Sequence, residues 1–541
     1  MARKAHIFSI AALSLSLLLA GCSTDGGAGA LSATATTATT AVATTNADTS
    51  TDVAADTHFD SDDLVWDSAK ETDIALADGA STSSGAGATI EGDKITISEA
   101  GDYRISGSLS DGNITISAPE EAAVRLIFDN ASISNSTGSP LVVTEANEVL
   151  LYLQDGTTNK LSDANEYSDT SEDAANATIY SKADFTIAGD GSLDVAGNFN
   201  DAINVSDGLV IASGTINTTS VDDGIRGKDY VAITGGTITV DAGDDGVKSD
   251  NEEDEGRGWL LVQDGTLKVS AADDGVKAYN KLAVTGGKVT VSKSAEGLEA
   301  ANIALSGGVI NVTASDDGLN ASGGSTTTET TSDTGAAAQE KSAGARPAEG
   351  AGGTPPGGGG MGGGETVGDF SLVISGGEVT VMADGDGLDS NGTASVTGGT
   401  TVINGPTNDG NAPIDVNGDF TVTGGTIAAA GSSGMAVTPG EASTQSGLQA
   451  IFDTALPKGT VVQISNTEGE TVAAFTTTRE TASLIYSGAG IVDGESYTFS
   501  SGGSSSTEAG LGQGSGSDTT ELVTVTAGEY SEGMSPGGAR G

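Results

Sequence analysis

The stretch from Tyr230 to Lys248 reads YVAITGGTITVDAGDDGVK, and its pattern decides the fold. Apolar residues alternate at Val231 and Ile233 and again at Ile238 and Val240, and Val247 then follows an Asp-Asp-Gly turn. A period of two, broken by Gly-rich turns, denotes short strands. The same unit recurs in both directions as apolar-x-apolar-Thr-Gly-Gly-x-apolar-x-Val followed by Asp-Asp-Gly-apolar. The glycine closing its first part falls at Gly214, Gly236, Gly265, Gly287, Gly308, Gly377, Gly399 and Gly425. The glycine closing the acidic part falls at Gly224, Gly246, Gly275, Gly297, Gly318 and Gly387. Both markers step by 22, 29, 22, 21 and 69 residues. The gap of 29 carries 7 extra residues around 251–258, and the gap of 69 carries 47 extra, the Gly/Pro-rich stretch 322–368. Insertions between unchanged rungs mark a solenoid. Three short strands per unit of about 22 residues, with side chains alternating in and out, describe one coil of an all-β parallel β-helix. Glycines at fixed places are expected to supply the positive φ of the corners.

Working outward, residues 58–182 carry similar strands with looser spacing, among them Ile95-Thr96-Ile97, Tyr103-Arg104-Ile105 and the run Val149 to Leu153. They read as irregular N-terminal coils and a cap, ahead of regular coils over 183–440 with a disordered insertion at 322–368. Residues 441–502 lose the repeat and read as a small C-terminal β cap, since a solenoid must cover its open edge. Residues 503–541 read as a linker-like tail, in which Glu521 to Val525 add a final strand. At the other end, Arg3 and Lys4 precede an apolar stretch from Ile7 to Ala20 that is too short to span a bilayer, and Leu19-Ala20-Gly21-Cys22 reads as a lipobox. Residues 1–21 are therefore expected to be a lipoprotein signal peptide, with Cys22 the lipidation site and 22–57 a Thr/Ala-rich flexible stalk. The protein is expected to be exported and held at the cell surface through that lipid alone, as a monomer.

Acidic residues outnumber basic ones 75 to 22, a formal charge of −53, which argues against a nucleic-acid partner. Stacking would place equivalent acids about 4.8 Å apart. One column is Asp222, Asp244, Asp273, Asp316 and Asp384, and a second is Asp223, Asp245, Asp274, Glu296, Asp317 and Asp386. Carboxylates this close repel one another, and Ca²⁺, which takes six to eight oxygens, is the cofactor expected to hold them. Asp229, Asp250, Asn280 and Asp389 are candidates to complete the shells. The alternative is an Asp-Gly ladder chosen for turn geometry alone. A third column begins Arg226, Lys248 and Lys277 and points outward, where it suits the carboxylates of a uronate chain or else balances the neighbouring acids. Tyr230, Trp259 and Lys281 form another outward column, readable as a sugar-stacking surface or as chance exposure.

These features resemble the bacterial β-helical carbohydrate-binding surface proteins first characterised in cellulolytic clostridia. The resemblance rests on Gly101-Asp102-Tyr103-Arg104-Ile105-Ser106-Gly107, on Val124-Arg125-Leu126-Ile127-Phe128, on Leu153-Gln154-Asp155-Gly156-Thr157-Thr158-Asn159 and on the two repeated turns. It implies a right-handed β-helix, pectate-lyase-like in architecture, that binds calcium and plant-type polysaccharides, chiefly acidic ones such as polygalacturonate. The rung at Ala295-Glu296 and the lipobox with its long stalk depart from that pattern. Binding is the expected function, without catalysis. A calcium-dependent polysaccharide lyase using Lys248, Lys277 or Arg226 as base is the alternative, and an adhesin-like structural protein with no glycan ligand is a third. The two histidines, His6 in the signal and His58 in the stalk region, leave no expected histidine chemistry.

Overall fold

In the computed structural model, residues 57–171, 173–323 and 367–531 are described. The signal peptide, the lipidation site Cys22, nearly all of the stalk and most of the 322–368 insertion lie outside the described residues. The described chain is all-β, dominated by one large and mostly parallel sheet. Each strand in the repeat region pairs with its counterpart one unit on. Asp201–Val205, Ile225–Gly227, Val247–Ser249, Val276–Val284, Leu298–Leu305, Leu319–Ala321 and Leu388–Ser390 form one parallel ladder. Gly208–Ile211, Tyr230–Ile233 and Trp259–Val262 lie in a second, and Thr215–Ser220, Thr237–Asp241 and Thr266–Ser270 in a third.

Register is fixed by the inward residues, because a slip of one residue would turn every apolar group to solvent. Ile203, Ile225, Val247, Val276, Leu298, Leu319 and Leu388 stack over one another at the core side of the first ladder, all essentially inaccessible. The two glycine markers answer different demands. Gly236 has φ +89°, as expected for a corner. Gly246 needs no left-handed backbone, but a Cβ there would run into the Gly275 carbonyl oxygen and the Val269 side chain. The acidic turns therefore need glycine for close approach of successive rungs.

At the last rung the pairing turns antiparallel, with Thr481–Ser487 pairing with both Thr426–Gly431 and Gly447–Leu456. A separate five-stranded antiparallel sheet follows. It extends past the linker boundary expected at residue 503. Gly510–Gly512 and Gly514–Thr526 are strands, and the second pairs along Ser496–Ser505. The apolar alternation of this edge hairpin is confined to Tyr497 and Phe499 facing Val525 and Val523, while the stretch beyond residue 503 is Ser, Thr and Gly-rich and carries no such pattern. Past residue 503, Leu511, Leu522, Val523 and Val525 pack against the second core cluster, to which Tyr497 and Phe499 belong.

Gly246→Ala should lower stability by about 1–3 kcal/mol through overpacking between rungs. Denaturant unfolding measures this, and an unchanged midpoint would contradict the close approach.

Candidate binding face of the parallel stack

The Asp-Asp-Gly turns lead directly into the first ladder, so both acidic columns run along one edge of that sheet. The second column is tied into the backbone. Asp201 Oδ1 accepts from the Asp223 amide at 3.3 Å, Asp223 Oδ1 from Asp245 at 3.2 Å, and Asp245 Oδ1 from Asp274 at 3.0 Å. Farther along, Asp317 Oδ1 accepts from Asp386 at 2.6 Å and Asp386 Oδ1 from Ala412 at 2.5 Å. Each carboxylate thus satisfies an amide of the following rung that has no partner in the ladder itself. Glu296 instead accepts from the Asn320 amide at 2.8 Å. Asp201, one step of 22 residues before Asp223, was missed because Ala202 replaces the diagnostic glycine.

The outward file of the first ladder is in register as Tyr180, Asn204, Arg226, Lys248, Lys277, Glu299, Asn320, Asp389 and Asp415. Its cations are engaged with the acids. Lys248 Nζ bridges Asp245 at 2.7 Å and Asp223 at 3.3 Å. Lys277 Nζ bridges Asp274 at 2.5 Å and Glu299 at 2.7 Å. Arg226 Nε donates to both oxygens of Asp250, at 3.0 and 3.1 Å, and its Nη1 donates to Asn204 Oδ1. Burial alone would lower both lysines, but the adjoining carboxylates outweigh it and raise them.

Beyond Lys277 the file changes sign. Lys277 reaches Glu299, and Arg479 reaches Asp384 at 2.8 Å, but the file positions themselves become Glu299, Asn320, Asp389 and Asp415. Burial first, and neighbouring acids second, push Asp389 up to about 7. Glu296 and Asp386 are also raised to about 7, in each case chiefly by burial. Burial is the main cause for Asp201, at about 7, and for Asp223, at about 6. Asn320, 6% exposed, has a buried Oδ1 with no hydrogen-bond partner among the described residues. Three sets of carboxylates hold oxygens within 4.8 Å of one another: Asp222, Asp223 and Asp244; Asp244, Asp245 and Asp273; and Asp274, Glu296 and Glu299. Asp316 and Asp384 stand exposed at the corresponding turns.

The expected shell-completing residues divide. Asp389 joins the acids. Asp250 is taken by Arg226. Asp229 binds Asn251 at 2.6 Å and Arg257 at 3.5 Å, at the turn after the strand, and Asn280 donates to the Arg257 carbonyl. The strand Ile225–Gly227 separates Asp229 from its acidic turn, and Asn280 lies within Val276–Val284, four residues past Val276.

The Tyr230 column is not an open platform. Tyr230 is 2% exposed and stacks on Trp259 at 4.8 Å and 10°. Lys281 follows Trp259 in register. Sequence placed His58 in the stalk, but it docks here, its side chain 8% exposed. Its Nδ1 lies 2.6 Å from the Tyr230 hydroxyl and 3.1 Å from Asp184, and its Nε2 lies 2.8 Å from Thr186 Oγ1. Phe59 packs on the same cluster. Farther along this segment, Trp66 meets Tyr152 edge-on at 4.8 Å and lies beneath Arg125. A lone histidine after a polar stretch gave no periodic signal that could have placed it.

Residues 91–339 match the family profile described as carbohydrate-binding domain-containing proteins. A solved polysaccharide lyase-like protein from C. thermocellum, a gadolinium derivative, is 31% identical over 44% of this chain and 96% of its own, with a TM-score of 0.41. A carbohydrate-binding domain-containing protein from Acetivibrio thermocellus is 36% identical over 132 residues, 24% of this chain and 46% of the relative. The chain thus spans about half the length of that curated relative.

Two outcomes follow from the charge arrangement. Lys248→Met should cost about 3 kcal/mol at pH 7, because it leaves two buried carboxylates without their counter-ion. The loss should shrink at pH 5, where Asp223 takes up a proton, and equal losses at both would contradict the bridge. In chelator, carboxyls held near 6–7 when folded but near 4 when unfolded bind more protons in the native state. Their contribution to stability is complete below about pH 4 and is lost as pH rises to about 7. The melting temperature of the chelated protein should therefore fall between pH 5 and pH 8.

Proposed function

We propose that the chain is a calcium-dependent carbohydrate-binding lipoprotein of the cell surface that takes acidic, polygalacturonate-like polysaccharides on a right-handed parallel β-helix. The match of residues 91–339 to carbohydrate-binding domain-containing proteins supports a glycan partner. The observation that carries the calcium reading is the C-terminal half of the outward file, where acids accumulate without stacked cations around an unpartnered Asn320 Oδ1. At an effective dielectric of about 20, two carboxylates about 4.8 Å apart repel by about 3.5 kcal/mol. The donor set is all oxygen, from carboxylates and an amide, which fits a hard divalent ion. Asp222, Asp244 and Asp273 at the turn edge, and Glu296, Asp317, Asn320, Asp386 and Asp389 within the sheet face, would hold it. Bound calcium would neutralise these acids and offer positive charge to a uronate. Arg226, Lys248 and Lys277 stay at the face as paired charges, able to meet a glycan carboxylate only by sharing it with their acids. Cys22 would carry the lipid, with the body acting as a monomer.

A lyase is the less supported reading. Its base must lose a proton near neutral pH, whereas Lys248 and Lys277 are held protonated by their carboxylate partners.

Calcium should restore at pH 8 the melting temperature lost in chelator, through binding to the native state alone. Pull-down on polygalacturonate should then require calcium. Equal melting and equal binding with and without chelator would overturn the proposal.

A further inference from the structure

At the N-terminal end of the outward file, the loop between the strands Thr158–Ser162 and Ala177–Ser181 rises beside the sheet. Between loop and sheet lies a cleft of about 340 Å³, lined by Asp169, Asn176, Tyr180, Phe199, Ser206 and Arg226 among others. That volume falls within the usual range of small-ligand sites, about 300–1,000 Å³.

The wall of the cleft is fixed by buried polar bonds. Tyr167 stacks on Phe199 at 4.3 Å and 19° and donates its hydroxyl to Asp163 Oδ2 at 2.7 Å. The other oxygen of Asp163 accepts from the Asn198 amide at 2.6 Å, and the Ser168 amide bonds the Thr137 carbonyl at 2.9 Å. The floor is equally constrained. Asn204, 2% exposed, donates to Asp201 at 2.6 Å and to Asn176 Oδ1 at 3.1 Å, and accepts from Arg226 Nη1 at 3.1 Å. All three of its bonds go to the protein, so Asn204 positions Asn176 and Arg226. The bonds of Arg226 employ Nε and Nη1, leaving Nη2 outside them.

We propose that this cleft is a subsite for one uncharged pyranose unit, separate from the acidic file. The aromatic faces of Tyr180 and Phe199 supply apolar contact for a sugar ring. Asn176, Asp169, Ser206 and Arg226 offer donors and acceptors for its hydroxyls. Charge selects against a uronate: the Arg226 guanidinium is already balanced by Asp250, and Asp169 adds negative charge to the lining. The inference rests on the carbohydrate-binding reading and extends it, because a glycan spanning both places would combine neutral and acidic units. Recognition here needs no calcium and, lacking net charge pairing, is insensitive to salt.

Titration calorimetry of the full-length protein in chelator, with cellohexaose, xylohexaose and mannohexaose as probes, tests the subsite. At least one should bind with little change between 50 and 500 mM salt. Tyr180→Ala should weaken that binding ten-fold or more while leaving calcium-dependent polygalacturonate retention intact. Ala175→Trp, which fills the cleft from its half-exposed rim without removing any contact named above, should do the same and covers the case in which Tyr180→Ala does not fold. If none of the three binds but polygalacturonate is retained, the subsite is wrong and the broader reading stands. If neither kind of glycan binds, both fall. Equal affinity in wild type and Ala175→Trp would also overturn the subsite.

Discussion

Parallel stacking sets every rung directly over its predecessor, about 4.8 Å away, and the rest of the molecule follows from that spacing. Inside, it turns one aliphatic residue per strand into continuous files such as Ile203 to Leu388. At the edge, it makes a side chain at Gly246 impossible without moving the next rung. Outside, it repeats whatever charge a rung presents. A single acidic turn is unremarkable in energy, but six stacked ones must be neutralised, protonated or tied into the backbone.

The chain uses all three solutions in different places. Amide bonds hold one oxygen of Asp223, Asp245, Asp317 and Asp386. Lys248 and Lys277 each bridge two carboxylates. Where the file continues as Glu299, Asn320, Asp389 and Asp415, burial raises Asp389 and the neighbouring Glu296 and Asp386, and among the described residues the Asn320 amide oxygen is left without a donor. The change of sign along one file gives the two halves of the face different chemistry on the same backbone.

Much of this was legible in the sequence because solenoids write their geometry as spacing. The Thr-Gly-Gly and Asp-Asp-Gly markers located the rungs, and alternation at Val231/Ile233 and Ile238/Val240 assigned the inward faces. Non-periodic features were not legible. His58 and Phe59 reach Tyr230 across more than 170 residues of chain, so no local pattern could place them. In the hairpin ending in Gly514–Thr526, the Ser/Thr/Gly-rich part past residue 503 shows no apolar period and is placed by pairing with Ser496–Ser505. The lysine column stayed equally open to two readings, since spacing tells which residues share a face and not which partner each will take. Its carboxylate bridges appear only once the turn brings Asp245 and Lys248 together.

The most direct measurement is anomalous diffraction from crystals grown with calcium and soaked with a lanthanide that replaces it. Peaks are expected beside Glu296, Asn320, Asp386 and Asp389, with none between Lys248 and its two carboxylates. A map without peaks among those acids, at calcium concentrations that leave the protein folded and glycan-competent, would contradict calcium as the partner that neutralises this face.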